Sequence, residues 1–130
     1  MAIESNWREP TELEINIFNR LLSVEFPGVE HLRMQIEAMQ VQTLDENGSL
    51  SLKVESGVRA DVQSRVPVEA SYSDSEEGSD DKEPRVHMLL HVLDGSMKEL
   101  EIYKDDGSAI VQKPLSRKLS LFTPNNWENE

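Results

Sequence analysis

Apolar residues recur at helical spacing near the start of the chain and with a period of two over most of the rest. Leu13, Ile17, Leu21 and Val24 fall on one stripe at about 100° per residue, and Ile15, Phe18 and Leu22 widen it. Asn16, Asn19, Arg20 and Ser23 take the opposite side. Thr11 followed by Glu14 is the pattern of a capping box, so the helix is expected to start there. Glu14 lies inside the apolar arc, where an unpaired carboxylate would be costly; turned back onto the first free amides it serves as a cap. Phe26-Pro27-Gly28 ends the helix, because Pro27 pushes Phe26 out of helical space. Val29, Leu32 and Ile36 then predict a short second helix.

The period changes at Met39. Met39, Val41 and Thr43 alternate with Gln40 and Gln42, and Leu50, Leu52 and Val54 alternate with Ser49, Ser51 and Lys53. Asn47-Gly48 between the two runs is a hairpin signal, since both residues tolerate positive φ. A two-residue loop would pair Thr43 with Leu52 and Val41 with Val54. Residues 56–65 are polar and show no period. Val66, Val68, Ala70 and Tyr72 alternate as a strand, with Pro67 expected at an edge or a strand start. The run 74–83 holds six acids and one lysine and no apolar residue, which predicts a solvated loop between strands.

The densest pattern runs from Pro84 to Val111. Val86, Met88, Leu90 and Val92 make one strand face, and His87, Leu89, His91 and Leu93 the other. Asp94-Gly95 turns the chain, and Leu100 and Ile102 mark the core face of the next strand. A two-residue turn would set Leu90 opposite Glu99, and a one-residue slip exchanges the two faces. A three-residue loop instead sets Met88 opposite Leu100 and His87 opposite Glu101, and is the expected solution. The same reasoning at Asp105-Asp106-Gly107 predicts a third strand over 108–112, with Ile110 opposite Ile102. The expected fold is α+β: one or two N-terminal helices packed on an antiparallel, hairpin-built sheet of about five or six strands. It occupies residues 1–112, followed by an extension over 113–130 that is partly disordered.

Charge narrows the function. There are 13 basic and 25 acidic residues, a formal net of −12. That field has the wrong sign for neutralising phosphates, so no nucleic-acid partner is expected, and anionic lipid is disfavoured for the same reason. The first residues lack an apolar leader segment, and no apolar window is long enough to span a bilayer. With no cysteine, a cytoplasmic location is expected.

Candidate chemistry is sparse. His87 and His91 on a helix could share an ion, but on a strand they stand about 13 Å apart and cannot. The acidic run fails the EF-hand pattern, because from Asp74 the fifth position is Gly78 and the sixth Ser79. No metal and no cofactor are therefore expected. Nucleophile elbows and phosphate loops are absent from the sequence. Glu99 and Glu101 share a strand face about 7 Å apart, as pairs in acidic sheets commonly do. What remains is one sheet face carrying His87, Leu89, His91, Glu99, Glu101 and Tyr103, which either binds a partner or lies under Leu119, Leu121 and Phe122.

The run LHVLDGSMKELEIYKDDGSAI (90–110), together with REPTELE (8–14), resembles a small bacterial family known only as a domain of unknown function. The resemblance extends from Arg8 to about Val111 and leaves out the acidic loop and the segment after Lys113. It implies a bacterial, single-domain α+β protein and no particular chemistry. The reading is a non-catalytic protein-interaction module, inhibitor- or immunity-like, directed at a basic protein. A small-molecule-binding or sensory domain and a carboxylate–histidine enzyme are the other readings, in that order. An open sheet edge also offers a route to a homodimer.

Overall fold

The computed structural model describes residues 7–75 and 84–124. Helix α1 (Glu12–Leu21) starts on the expected capping box: Thr11 Oγ1 accepts from the Glu14 amide, and the Glu14 carboxylate accepts from the Thr11 amide. Arg8 completes the arrangement with two hydrogen bonds to Glu14, at 2.8 and 2.9 Å. The Arg8 hydrogen bond holds the Glu14 carboxyl below its usual range against the opposing effect of burial. Thr11→Ala should cost about 1 kcal/mol of stability, read as a shift in the urea midpoint at unchanged slope. The helix is shorter than its apolar stripe: Leu22 is the C-cap, and Val24 packs on the core from outside the helix. Helix α2 (Val29–Gln35) follows, then a single 3₁₀ turn over Ile36–Ala38.

Six strands form one antiparallel sheet: β1 (Met39–Thr43), β2 (Leu50–Val54), β3 (Val68–Ser73), β4 (Arg85–Leu93), β5 (Ser96–Lys104) and β6 (Ser120–Phe122). Their order across the sheet is β1-β2-β5-β4-β3-β6. Together with the two helices this is the α+β architecture expected from the sequence. Pro67 immediately precedes β3, which begins at Val68 rather than Val66, where a missing amide disrupts no ladder. β6 lies within the segment 113–130 that the sequence sets apart, and residues 125–130 fall outside the described ones.

Both helices cover one side of the sheet. Ile17, Phe18, Leu21 and Leu22 from the first helical segment, with Val29 and Leu32 from the second, share a buried cluster with Val41, Leu50, Val68, Tyr72, Met88, Leu90 and Leu100. Burial alternates strictly along β4, which puts Val86, Met88, Leu90 and Val92 in this core.

Three expected pairings are corrected. The first hairpin sets Thr43 opposite Leu50 and Val41 opposite Leu52, two residues from the expected register and with the same faces. The loop is longer because Asp45 Oδ1 accepts from the amides of Asn47 and Ser49, while Leu44 donates to the Ser49 carbonyl. Between β4 and β5 the turn is the two-residue Asp94-Gly95, both with positive φ, as a type I′ turn requires. Val92 pairs with Met97 and His91 with Glu99, so Lys98 is an unpaired bulge residue. The bulge supplies the parity that the three-residue loop was expected to supply. Its consequence is that Met88 faces Ile102, Leu89 faces Glu101 and His87 faces Tyr103.

The third correction concerns residues 108–112, which form no strand. The free edge of β5 is taken by β2, and the buried Ser49 hydroxyl bonds both the amide and the carbonyl of Ile102. The segment is held instead by Asp74. This residue belongs to the run expected to be a solvated loop, yet its side chain is wholly buried, 2.7 Å from Lys104 Nζ. Its carboxylate accepts from the amides of Val111 and Gln112, Lys104 also donates to the Ala109 carbonyl, and the Tyr72 hydroxyl donates to that of Gln112. Of the acidic run, only Asp74 and Ser75 lie among the described residues.

Candidate functional site

Because side chains alternate along a strand, the residues between the core positions point to the other side of the sheet. Among the described elements no helix packs there. β3 contributes Glu69, Ser71 and Ser73; β4 contributes Arg85, His87, Leu89 and His91; β5 contributes Glu99, Glu101 and Tyr103. All five residues singled out from the sequence as binding candidates, His87, His91, Glu99, Glu101 and Tyr103, are therefore brought to one face. Of the C-terminal apolar residues, Leu119 is buried in the core and Leu121 packs against the core, while Phe122, opposite Glu69 at the outer edge of β3, stands on the rim of this face.

The centre of the face is an aromatic stack. The rings of His87 and Tyr103 lie 5.0 Å apart at an interplanar angle of 21°. Across the sheet they are direct partners in register, which the bulge at Lys98 makes possible. His87 Nε2 pairs with Asp105, and His91 Nε2 lies 2.8 Å from Glu101 Oε1. Each histidine thus has its own carboxylate, and the Glu101 expected opposite His87 pairs instead with His91. Tyr103 remains 41% exposed.

The electrostatics of the face converge on that tyrosine. Its hydroxyl pKa is raised by partial burial and then by the charges of Glu69, Asp105 and Glu101. The Glu69 carboxyl is itself pushed up by burial, with His87 opposing. Glu69 and Asp105 were not singled out from the sequence. Asp105 reads there as turn chemistry, and Glu69 reaches this face only because β3 pairs with β4. A second aromatic, Trp7, lies 5.8 Å from Lys53 Nζ.

His91, Glu99 and Glu101 form a tighter group. Each offers a ligand atom, and these atoms lie within 4.8 Å of one another. His91 sits directly opposite Glu99 in the ladder, with Glu101 two residues further on the same face. The group is not the His87–His91 pair that strand geometry excludes.

His87, His91 and the carboxylates beside them stand on the sheet face and line neither the pocket walled by Glu25, Glu30 and His31 nor the one beside Pro67. A pocket lined by Phe26, Pro27, Gln63, Ser64, Pro67, Thr123 and Pro124 has no titratable side chain in its wall and shares no residue with this face. No helix among the described residues is long and apolar enough to cross a membrane.

A family model described as a domain of unknown function (DUF6984) matches residues 7–114. That span agrees with the stretch over which the sequence resembles such a family. No curated protein and no solved structure matches the chain.

Proposed function

The chain belongs to the family described as a domain of unknown function, DUF6984, and we propose that it acts as a non-catalytic interaction module whose outer sheet face docks a basic protein. The observation that carries this reading is the half-exposed Tyr103 ring stacked on His87, with Glu69, Asp105 and Glu101 all acting on it. A lysine or arginine placed over such a ring gains from the ring face and from the surrounding carboxylates together. The net charge of −12 steers a basic partner towards the molecule.

The test is capture on the immobilised full chain from a native lysate, at low and then high salt, beside the variants Tyr103→Ala and Glu101→Lys. The expected result is a stoichiometric basic protein that leaves at high salt and is not retained by either variant. Retention of nothing, or equal retention by the variants, would overturn the reading.

A further inference from the structure

We propose that His91, Glu99 and Glu101 form a binding site for a divalent transition-metal ion of the zinc class. The proposal shares Glu99 and Glu101 with the docking face but does not rest on the docking reading, since it concerns the isolated chain. Three observations support it. One imidazole and two carboxylates present ligand atoms within 4.8 Å of one another, and the strand ladder fixes their backbones. The Glu99 carboxylate has no hydrogen-bond or ion-pair partner among the described residues, although it stands beside the like-charged Glu101. A cation between them would relieve that repulsion. Finally, His91 Nδ1 is buried with no hydrogen-bond partner among the described residues, so the ring is held only by its contact with Glu101. Its Nε2 faces Glu101 at 2.8 Å and can exchange its proton for an ion without breaking any other contact.

The donor set also selects the class of ion. Calcium takes six to eight oxygen ligands and magnesium a near-octahedral oxygen shell. One nitrogen and two oxygens on a half-exposed surface suit zinc with water completing the coordination. Binding is expected to be modest, because ligating histidines ordinarily donate their second nitrogen to a partner, and loss of such a partner costs about 10–100-fold in affinity. His91 Nδ1 lacks one.

The experiment is a zinc titration of the full metal-stripped chain, followed by calorimetry and by the imidazole carbon–proton NMR signals. One saturating equivalent should shift the His91 ring signals and leave those of the exposed His31 in place. An excess of calcium should not displace it. His91→Ala and Glu99→Gln should each weaken binding by about tenfold or more, while His31→Ala leaves it unchanged. Glu99→Gln neutralises a carboxylate that makes no hydrogen bond or ion pair among the described residues, so it reads the site even if His91→Ala fails to fold. Zinc that leaves the His91 signals unmoved, or binds Glu99→Gln as tightly as wild type, would overturn the site.

Discussion

Replacing Lys104 with methionine should lower the stability of the protein by about 3–5 kcal/mol, because it leaves the carboxylate of Asp74 buried without its cation. The Asp74 side chain has no solvent exposure and that of Lys104 only 5%. Breaking such a pair is costly even where the intact pair contributes little, since the remaining charge has lost both water and partner. Urea unfolding followed by circular dichroism measures the difference. An unchanged midpoint would mean that the pair is not buried in solution. The same cluster sets a response to acid. Burial raises the Asp74 carboxyl, but the hydrogen bonds from Lys104 and from the amides of Val111 and Gln112 outweigh it, and the net shift is downward. A folded-state pKa below the unfolded value of about 4 stabilises the protein above that pH. This contribution fades as pH falls through the folded value. Wild type should therefore lose stability on acidification below about pH 4, and Asp74→Asn should lack that part of the loss.

Gln35→Leu should cost about 2–4 kcal/mol although it nearly preserves side-chain volume. Gln35 is fully buried. Its amide nitrogen donates to the carbonyls of Val58 and Gly95, at 3.0 and 2.7 Å, and its oxygen accepts from the Met97 amide. One side chain thereby fastens the end of α2 to the β4–β5 turn and to the loop preceding β3. The turn is tightly covered: a Cβ on Gly95 would meet the Ala60 carbonyl at 3.0 Å, and Gly95 has φ of +77°. A leucine at 35 takes away the partner of the buried Met97 amide, a penalty of about 1–3 kcal/mol, and strips one hydrogen bond each from the Gly95 and Val58 carbonyls, which keep those from the Ala60 amide and Arg59 Nη1. Hydrogen exchange resolves the outcome by position. Amides of Val92 to Met97 should lose protection more than those of β1, whereas a uniform change would point to simple loss of packing.

Much of this architecture is written in local pattern. The Thr11–Glu14 box fixes the start of α1, and strict alternation from Val86 to Val92 fixes which side of β4 is buried. That alternation also brings His87, His91, Glu99, Glu101 and Tyr103 to one face, because parity needs no knowledge of the partner strand. The exact pairings were not legible. Lys98 is an exposed lysine in a strand, and nothing in its neighbours marks it as a bulge, yet it decides that His87 meets Tyr103 instead of Ile102. Ile110 alternates well enough to suggest a third meander strand, but the edge of β5 is claimed by β2 some fifty residues earlier, a non-local choice. Asp74 was hidden by composition. It opens a run of solvating acids, and only the fold shows that a lysine thirty residues on waits for it.

We propose that the partner docks on the outer sheet face. Carboxyl-specific footprinting with mass spectrometry, on the captured complex and on the free chain, tests it most directly. Glu69, Glu99, Glu101 and Asp105 should lose labelling in the complex, while Glu30 and Glu37 on the helical side keep theirs. Unchanged labelling at Glu99 and Glu101 with protection at Glu30 and Glu37 would place the partner on the helices and contradict the account.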